Sequence, residues 1–512
     1  MRATNFSGYD EWLYLSLAAR GIIGFPYQNR PLVLLWHLPP ALLAPGSLGA
    51  FYAAHALYLL LAAWLTFVLV RQAAPASPVL AFVAGTLAAV WAPMDHARLL
   101  TVTLAGYAGW TFATLLAAVL FVEACRSGRR WLLVLSGAVA AGCIRGAEAT
   151  LPLLAAGPIV VWFAGAPVAR GLRPWIVAWA GLLAVVAALV IAPLLLGGTD
   201  VAYQSGLGFD ARPGAVLGRL LRQLGFHLLP LVTTRGIFAP WPMVSVAVFA
   251  GACAAVAWAY RDPPLPARAG LRAAALGLVL AGLGYAAFTM TAALPNPVRT
   301  QFLSAAGIAL LVSGAIVAAG SIAGRLRVPV IALLGGVVAA AGTANALRLQ
   351  TDWDRFGSYP TQAAALRQIV TLAPSVAPNT LIVLLDEEAP AFPATFAFEH
   401  ALEYVYGPGV RGHAWRAPEF LYGCRRIATG MACDPWPVIQ GPWGAAPTTH
   451  RFDEIVVLRR QGGAIALVAD WPPALGPMPA GGAYAPVARI LPSATRVKER
   501  RILDQAAPPP AL

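Results

Sequence analysis

The chain has 512 residues, of which 59% are hydrophobic and only 11% are charged, and its formal net charge is +14. Its mean hydropathy of +0.68 excludes an ordinary soluble globular protein and is typical of a helical membrane protein. From residue 350 onward, fourteen basic side chains balance fourteen acidic ones, so the basic excess lies in the first 349 residues, where twenty-two arginines accompany eight acids. Most of these arginines lie in short loops between apolar runs. That distribution sets membrane orientation and argues against nucleic-acid binding.

The first 47 residues contain an acidic pair in a chain that has few acids. Asp10 and Glu11 begin the stretch DEWLYLSLAARGIIGFPYQNRPLVLLW, in which Tyr14 and a short amphipathic run precede Arg30. We expect this segment, residues 1–47, to form an extracytoplasmic first loop with juxtamembrane helices. Its first residues are polar and do not form a cleavable signal peptide. The segment is therefore either translocated unaided or preceded by an upstream helix, and we favour the upstream helix.

Ten apolar runs follow, each near the ~20 residues that a helix needs to cross the hydrocarbon layer of a membrane. They lie at about 48–70, 78–93, 101–123, 131–144, 151–166, 175–197, 242–260, 273–294, 301–320 and 328–349. Alternate loops are dense in arginine, and the positive-inside rule predicts that those loops are cytoplasmic. Residues 48–349 are thus expected to form a transmembrane domain, with six of the eight acids before residue 350 at its outer face.

Residues 350–505 are predicted to form a soluble extracytoplasmic α/β domain, and residues 506–512 a disordered tail. The stretch SYPTQAAALRQIVTLA has helical spacing, NTLIVLLDEEAP contains a short buried strand, and FDEIVVLRRQGGAIALVAD indicates two strands joined by a Gly-Gly turn. Cys424 and Cys433 are candidates for a disulfide if this domain is in an oxidising compartment. Two free thiols are the alternative.

Short outer loops supply further polar side chains. They are Asp95, His96 and Arg98 in APMDHARLL, Arg145 and Glu148 in CIRGAEATLP, and Arg299 in LPNPVRTQF. Each also has a structural explanation. An acid can cap the following helix. A histidine at the membrane interface commonly forms a hydrogen bond without any role in binding or catalysis, and an arginine at a helix end can anchor that helix at the interface. Arg145 and Glu148 could form a local ion pair if one helical turn holds both.

The first loop resembles that of the GT-C superfamily of membrane glycosyltransferases, most closely the branch with protein O-mannosyltransferases and lipid A aminoarabinose transferases. DEWLY, at residues 10–14, fits the Asp-Glu-x-x-Tyr of that loop. Arg30 before a proline and the downstream Trp36 fit its other features. The sequence RPL departs from the usual basic-Pro-Pro, and the missing first helix is a second departure. The motif covers about thirty residues, whereas the pattern of many spans followed by a soluble domain covers the whole chain.

The resemblance implies an integral-membrane hexosyl- or pentosyltransferase, which we expect in a bacterial inner (plasma) membrane. The enzyme would move a sugar from a polyprenyl-phosphate donor to an extracytoplasmic glycan, lipid or protein. Asp10 would be the base, Glu11 its alternative or a positioning group, and Asp95 a support for the acceptor or a metal. The side chains implied in substrate binding are Tyr14, Arg30, His96, Arg98, Arg145, Glu148 and Arg299. A divalent ion on Asp10 and Asp95 remains an open alternative.

Two other classes of protein remain open. A transporter or flippase of a lipid-linked envelope precursor predicts ionisable groups deep within helices or broken helices related by repeats. The acids here gather at one predicted surface instead, which favours surface chemistry. A non-catalytic subunit of a glycan assembly complex would use the C-terminal domain to bind a partner.

Overall fold

The computed structural model describes residues 10–24, 31–90, 101–164, 171–196, 210–261, 263, 265–290, 301–386, 390–417, 419, 423–434, 447–492 and 498–505. The chain divides into two compact units. We call residues 1–54, 100–103 and 352–512 the mixed unit, because it contains helices and strands, and residues 55–99 and 104–351 the helical unit.

Helices account for most of the described chain. The α-helices of six or more residues are α1 (Glu11–Ala19), α2 (Leu38–Leu43), α3 (Leu48–Ala73), α4 (Pro78–Val90), α5 (Thr101–Ser127), α6 (Arg130–Gly146), α7 (Ala156–Ala164), α8 (Leu172–Leu196), α9 (Pro213–Leu228), α10 (Pro240–Ala259), α11 (Ala267–Thr289), α12 (Gln301–Ile322), α13 (Arg327–Phe356), α14 (Tyr359–Leu372) and α15 (Thr395–Tyr406). Every apolar run predicted from the sequence overlaps one of these helices.

Six helices of the described chain are long and apolar enough to cross a membrane. They are Leu48–Ala73, Ala105–Ser127, Pro240–Ala259, Ala267–Thr289, Phe302–Ile322 and Gly324–Asp352. Three further apolar stretches, at Pro78–Val90, Glu148–Phe163 and Arg173–Ala188, are shorter over their described side chains. At ~1.5 Å per residue a 13-residue helix such as α4 reaches ~20 Å, less than the ~30 Å hydrocarbon layer. The chain is a helical membrane protein with six candidate spans, and the figure of about ten stays a prediction.

Glycines let two of these helices approach closely in the helical unit. A Cβ at Gly277 of α11 would collide with the backbone of Leu311 on α12, and one at Gly307 of α12 with the backbone of Ala281. Gly270 faces Gly314 in the same way. In these contacts the residue numbers rise along α11 while they fall along α12, so the two helices are antiparallel. Small residues allow such contact between membrane helices, where close van der Waals packing drives association.

The described residues of the mixed unit form nine strands in three sheets. They are β1 (Ser375–Val376), β2 (Leu381–Asp386), β3 (Arg411–Trp415), β4 (Cys424–Ile427), β5 (Gly430–Cys433), β6 (Thr448–Arg451), β7 (Ile455–Gln461), β8 (Ala464–Leu467) and β9 (Ile490–Leu491). The largest sheet has the order β3-β2-β7-β8, with β3 and β7 parallel to β2 and β8 antiparallel to β7. β4, β5 and β6 form an antiparallel sheet, and β1 pairs with β9.

The local predictions for this region are confirmed. The predicted helix is α14, the predicted buried strand is β2, and Gly462-Gly463, both with positive φ, joins β7 to β8. All six residues of β2 are buried, as expected of a central parallel strand covered on both faces. The predicted disordered tail, residues 506–512, lies outside the described residues.

The two ends of the chain fold together in the mixed unit. Trp12 and Leu15 of α1 and Phe51 of α3 belong to one buried core with residues of α14, α15 and β2. Gln505, near the C-terminus, accepts the backbone N–H of Leu48 (2.8 Å) and donates to the carbonyl of Gly46. The sequence had placed residues 1–47 apart from residues 350–505, whereas the structure gives these two segments a shared core.

Candidate active site on the N-terminal helix

Helix α1, which carries Asp10, Glu11 and Tyr14, is fixed by one fully buried indole. Trp12 lies between the rings of Tyr359 and Tyr404, at centroid distances of 6.2 and 6.0 Å. Its Nε1–H donates to Oε1 of Gln362 at 2.7 Å. A buried tryptophan that is packed and hydrogen-bonded holds its helix in one orientation. The backbone at Asp10 is thereby attached to the core of the mixed unit.

A polar cluster fixes the other end of α1 to α15. The Glu403 carboxylate accepts the hydroxyl of Ser16 (2.6 Å), Nη1 of Arg20 (2.6 Å) and Nδ1 of His400 (3.0 Å). Burial raises the pKa of Glu403, but the hydrogen bonds of His400 and Ser16 and the charge of Arg20 outweigh burial and lower this pKa to about 2. Burial lowers the pKa of His400. The cluster therefore pairs an ionised Glu403 with a neutral imidazole at neutral pH.

The two predicted catalytic carboxylates, Asp10 and Glu11, differ in their exposure to solvent. Asp10 immediately precedes the first turn of α1 and is partly exposed, whereas the side chain of Glu11 is fully buried. The N-terminus of a helix favours a negative charge, so a carboxylate at Asp10 is stabilised while it stays in reach of solvent. A base must come within hydrogen-bond distance of the hydroxyl it deprotonates. Asp10 is in reach of solvent in this conformation and Glu11 is not.

Tyr14, predicted to bind substrate, stacks on the imidazole of His37 just before α2. The ring centroids are 5.1 Å apart and the planes are inclined by 16°. His37 is buried, and Tyr14 is partly exposed. The stack joins α1 to the segment that leads into α2, and it leaves part of the Tyr14 ring accessible.

Arg145 and Glu148 lie in the helical unit, whereas Asp10, Glu11 and Tyr14 lie in the mixed unit. Arg145 is in the last turn of α6 and Glu148 begins a short 3-10 turn, with Ala147 extended between them. One helical turn therefore does not hold both residues. Arg145 thus lies at the end of a helix and Glu148 shortly after it.

Five other predicted site residues lie outside the described residues: Arg30, Asp95, His96, Arg98 and Arg299. The described part of the chain contains no group of three or more His, Cys, Asp or Glu side chains arranged to hold a metal ion. The divalent-ion hypothesis joined Asp10 to Asp95, so it stays a prediction.

Asp210 connects two helices through a polar network. Its carboxylate binds Nε of Arg212 at 2.9 Å and also binds Arg219, whose Nη1 donates to the carbonyl of Thr289 at 2.7 Å. The backbone N–H of Asp210 donates to Met290 (2.9 Å). Hydrogen bonds from Arg212 lower the pKa of Asp210. This network connects the start of α9 to the end of α11.

Cys424 and Cys433 form a disulfide, as predicted if the compartment is oxidising. They are directly opposite each other on the antiparallel strands β4 and β5. The other three cysteines, at 125, 143 and 253, are free and buried.

Sequence reasoning missed buried histidines in the helical unit. His55 is fully buried on α3, with its ring 6.0 Å from that of Phe302. His227 on α9 hydrogen-bonds the hydroxyl of Tyr285 and lines a cavity of about 30 Å³ together with Thr66 and Thr111. Such a cavity is large enough for one or two water molecules. Ionisable groups within membrane helices are costly and commonly functional, so a histidine in an apolar stretch was the available signal.

No protein-family model, curated protein or solved structure matches the chain. The fold alone therefore defines the class: a helical membrane protein with a strand-containing C-terminal region. Within that class, the particular feature of this chain is a carboxylate-bearing N-terminal helix that shares a core with the C-terminal region.

Proposed function

We propose that the protein is an integral-membrane glycosyltransferase that uses a polyprenyl-phosphate sugar. The observation that carries the proposal is the partly exposed Asp10 at the start of a helix that the buried Trp12 fixes. General-base catalysis requires a carboxylate that is accessible yet held in one position. The resemblance of the first loop to that of GT-C enzymes supports the same role, and the burial of Glu11 favours Asp10 over its neighbour.

In the proposed reaction, a hydroxyl oxygen of the acceptor attacks the anomeric carbon of the donor sugar. The bond between that carbon and the phosphate oxygen breaks, the hydroxyl proton passes to Asp10, and the polyprenyl phosphate leaves as an anion. A cation must stabilise this developing negative charge. Arg30, Arg145 and Arg299 are the proposed sources of that charge. The acceptor is a glycan, a lipid or a protein.

We further propose that the mixed unit lies outside the cytoplasm, at the plasma membrane. Residues of α1, α14, α15 and β2 share one buried core, so the proposal puts these elements on the same side of the membrane. The arginine-dense loops of the helical unit predict that this side is opposite the cytoplasm. The disulfide between Cys424 and Cys433 supports an oxidising compartment.

The test is transfer of labelled sugar from a panel of polyprenyl-phosphate hexoses and pentoses by the purified full-length protein. Asp10→Asn keeps the shape of the side chain but removes the base, so transfer should fall ~10²–10⁴-fold. Asp470→Asn, at an exposed acid of the mixed unit, is the matched control and should leave transfer unchanged. Full activity of the Asp10→Asn protein would remove Asp10 from the mechanism.

A transporter or flippase of a lipid-linked precursor is the second candidate, because His55 and the His227–Tyr285 pair are buried among apolar helices. For that class, His227→Phe should stop the movement of a fluorescent polyprenyl-phosphate lipid between leaflets of proteoliposomes, whereas Asp10→Asn should not. Absence of both transfer and movement in the wild-type protein would favour the non-catalytic subunit.

A further inference from the structure

The helical unit contains a second, larger cavity that the proposed reaction does not use. It has a volume of about 200 Å³ and lies between α3, α7, α11 and α12. Apolar side chains form most of its wall, including Leu69, Phe163, Leu276 and Leu310. The hydroxyl of Thr66, which also lines it, already donates to the carbonyl of Ala62 at 2.9 Å.

A cavity with this wall favours an apolar occupant over water. Buried water needs two to four polar partners, and engineered apolar cavities of ~150 Å³ stay dry and bind small hydrocarbons. Arg272 is the charged exception in the lining of this cavity. An apolar cavity with a cationic side chain in its wall is complementary to a molecule that has a hydrocarbon chain and an anionic group.

The depth of the cavity matches one leaflet of a bilayer. Along α11 its lining extends from Ala269 and Arg272 to Leu280, which at ~1.5 Å per residue is ~16 Å. Half of a ~30 Å hydrocarbon layer is ~15 Å. At one end of the cavity, the lining consists of Ala73 and Ala74, where α3 ends, and Leu265, just before α11 begins. We call this the shallow end, because helix ends lie near the membrane surface. A lipid chain could therefore extend from the membrane surface to its midplane.

Charge around the shallow end favours an anionic lipid. Arg71 lies over the ring of Tyr260 at 5.8 Å, Arg261 follows that tyrosine, and Arg268 precedes Arg272 by one helical turn. Among the described residues, the acid placed beside this end of α3 is Glu123, which accepts a hydrogen bond from Gln72 at 3.4 Å. Juxtamembrane arginines attract anionic headgroups.

We propose that this cavity is a binding site for an anionic phospholipid of the leaflet at the arginine-rich loops. One acyl chain fills the cavity, and the guanidinium of Arg272 binds the phosphate. The loops around this end are the predicted cytoplasmic ones, so the ligand is a resident lipid and not the sugar donor, whose reaction is proposed at the opposite face. The site is independent of whether the protein is a glycosyltransferase.

The experiment measures lipid that remains bound to the full-length protein after detergent exchange. The protein is incubated with mixed micelles that contain phosphatidylglycerol or phosphatidylcholine, and retained lipid is counted by native mass spectrometry. The wild-type protein should retain about one phosphatidylglycerol per chain in preference to phosphatidylcholine. Arg272→Gln removes a charged hydrogen bond to phosphate and should lower retention about tenfold. Arg268→Gln, on the same helix but outside the lining, is its control.

A second pair of variants tests the cavity itself. Ala273→Phe places a ring in the cavity and should abolish retention of both lipids, whereas Ala275→Phe, at an exposed position of α11, should not. Equal retention of the two lipids by the wild type, or wild-type retention in both Arg272→Gln and Ala273→Phe, would overturn the proposal. Equal losses in Arg268→Gln and Arg272→Gln would also overturn it, because they would indicate a diffuse basic surface. Displacement of phosphatidylglycerol by equimolar polyprenyl phosphate would assign the cavity to the donor instead.

Discussion

At the scale of single residues, burial distinguishes side chains that the sequence presents as equivalent. Asp10 and Glu11 are adjacent acids, yet one is partly exposed and the other fully covered. His413, on strand β3, is another ionisable side chain whose properties are changed by burial. It is only 2% exposed, its Nδ1 has no hydrogen-bond partner within the described structure, and its Nε2 lies 3.8 Å from Oε1 of Glu419. Burial lowers the pKa of His413 to about 4.

Because His413 is buried in its neutral form, we expect acid to destabilise the folded protein. Between pH 6.5 and about 4 the unfolded chain holds a proton at this site that the folded chain does not. Stability should therefore fall as pH decreases through that window, by roughly 3 kcal/mol in total from this residue. His413→Leu should flatten this part of the curve of Tm against pH, measured on the full-length protein in detergent.

Glu419→Gln is the matched variant for this measurement. The pKa of His413 is lowered by burial and not by the carboxylate. Burial raises the pKa of Glu419 itself, so loss of this carboxyl should leave the fall in stability with acid as large as in the wild type or slightly steeper. An unchanged slope in His413→Leu would show that other groups cause the acid sensitivity.

At the scale of elements, glycines set the distance between α11 and α12. A Cβ at Gly277 has no space beside the backbone of Leu311, whereas a Cβ at Gly282 of the same helix meets no atom within 4 Å. The apolar composition of both helices is evident in the sequence. The residue that faces the partner helix is not, because each helix is apolar around most of its circumference.

This contrast predicts opposite effects for two similar substitutions. Gly277→Ala should force α11 and α12 apart and destabilise the protein by ~1–3 kcal/mol, the usual cost of overpacking. Gly282→Ala should be neutral or stabilising by up to ~1 kcal/mol, because alanine is the better helix former. Tm values of the two proteins in one detergent provide the comparison, and a lower Tm for Gly282→Ala than for Gly277→Ala would contradict the close approach.

At the scale of the whole molecule, the shared core of the chain ends restricts topology. Trp12 and Gln362 are hydrogen-bonded although 350 residues separate them. The chain first leaves the mixed unit along α3 and last re-enters it along α13. If both parts of that core lie on one side of the membrane, the number of crossings from α3 through α13 is even. Six candidate spans and ten predicted ones both satisfy this condition.

Labelling of introduced cysteines tests this topology. Leu43→Cys and Val487→Cys, at positions 85% and 70% exposed, should both react with a membrane-impermeant maleimide added outside intact cells. Arg325→Cys, in a predicted cytoplasmic loop, should react only in inside-out vesicles. Labelling of Leu43→Cys and Val487→Cys from opposite sides would contradict the single mixed unit. Labelling of both from inside would keep that unit but contradict the proposed extracytoplasmic reaction.

The sequence by itself determined the elements of this protein. Apolar length gave the helices, the stretch at 381–386 gave β2, and the Gly-Gly pair at 462–463 gave the hairpin of β7 and β8, because each depends on neighbouring residues. It also indicated Asp10, Glu11 and Tyr14 as candidate site residues of one segment, residues 1–47. Only the tertiary structure decided that α1 packs on α15 through Ser16, Arg20 and Glu403, and that an apolar cavity remains beside Arg272. The physical reason is that a pattern shows which face of an element is apolar, whereas its partner is decided by the packing of distant segments.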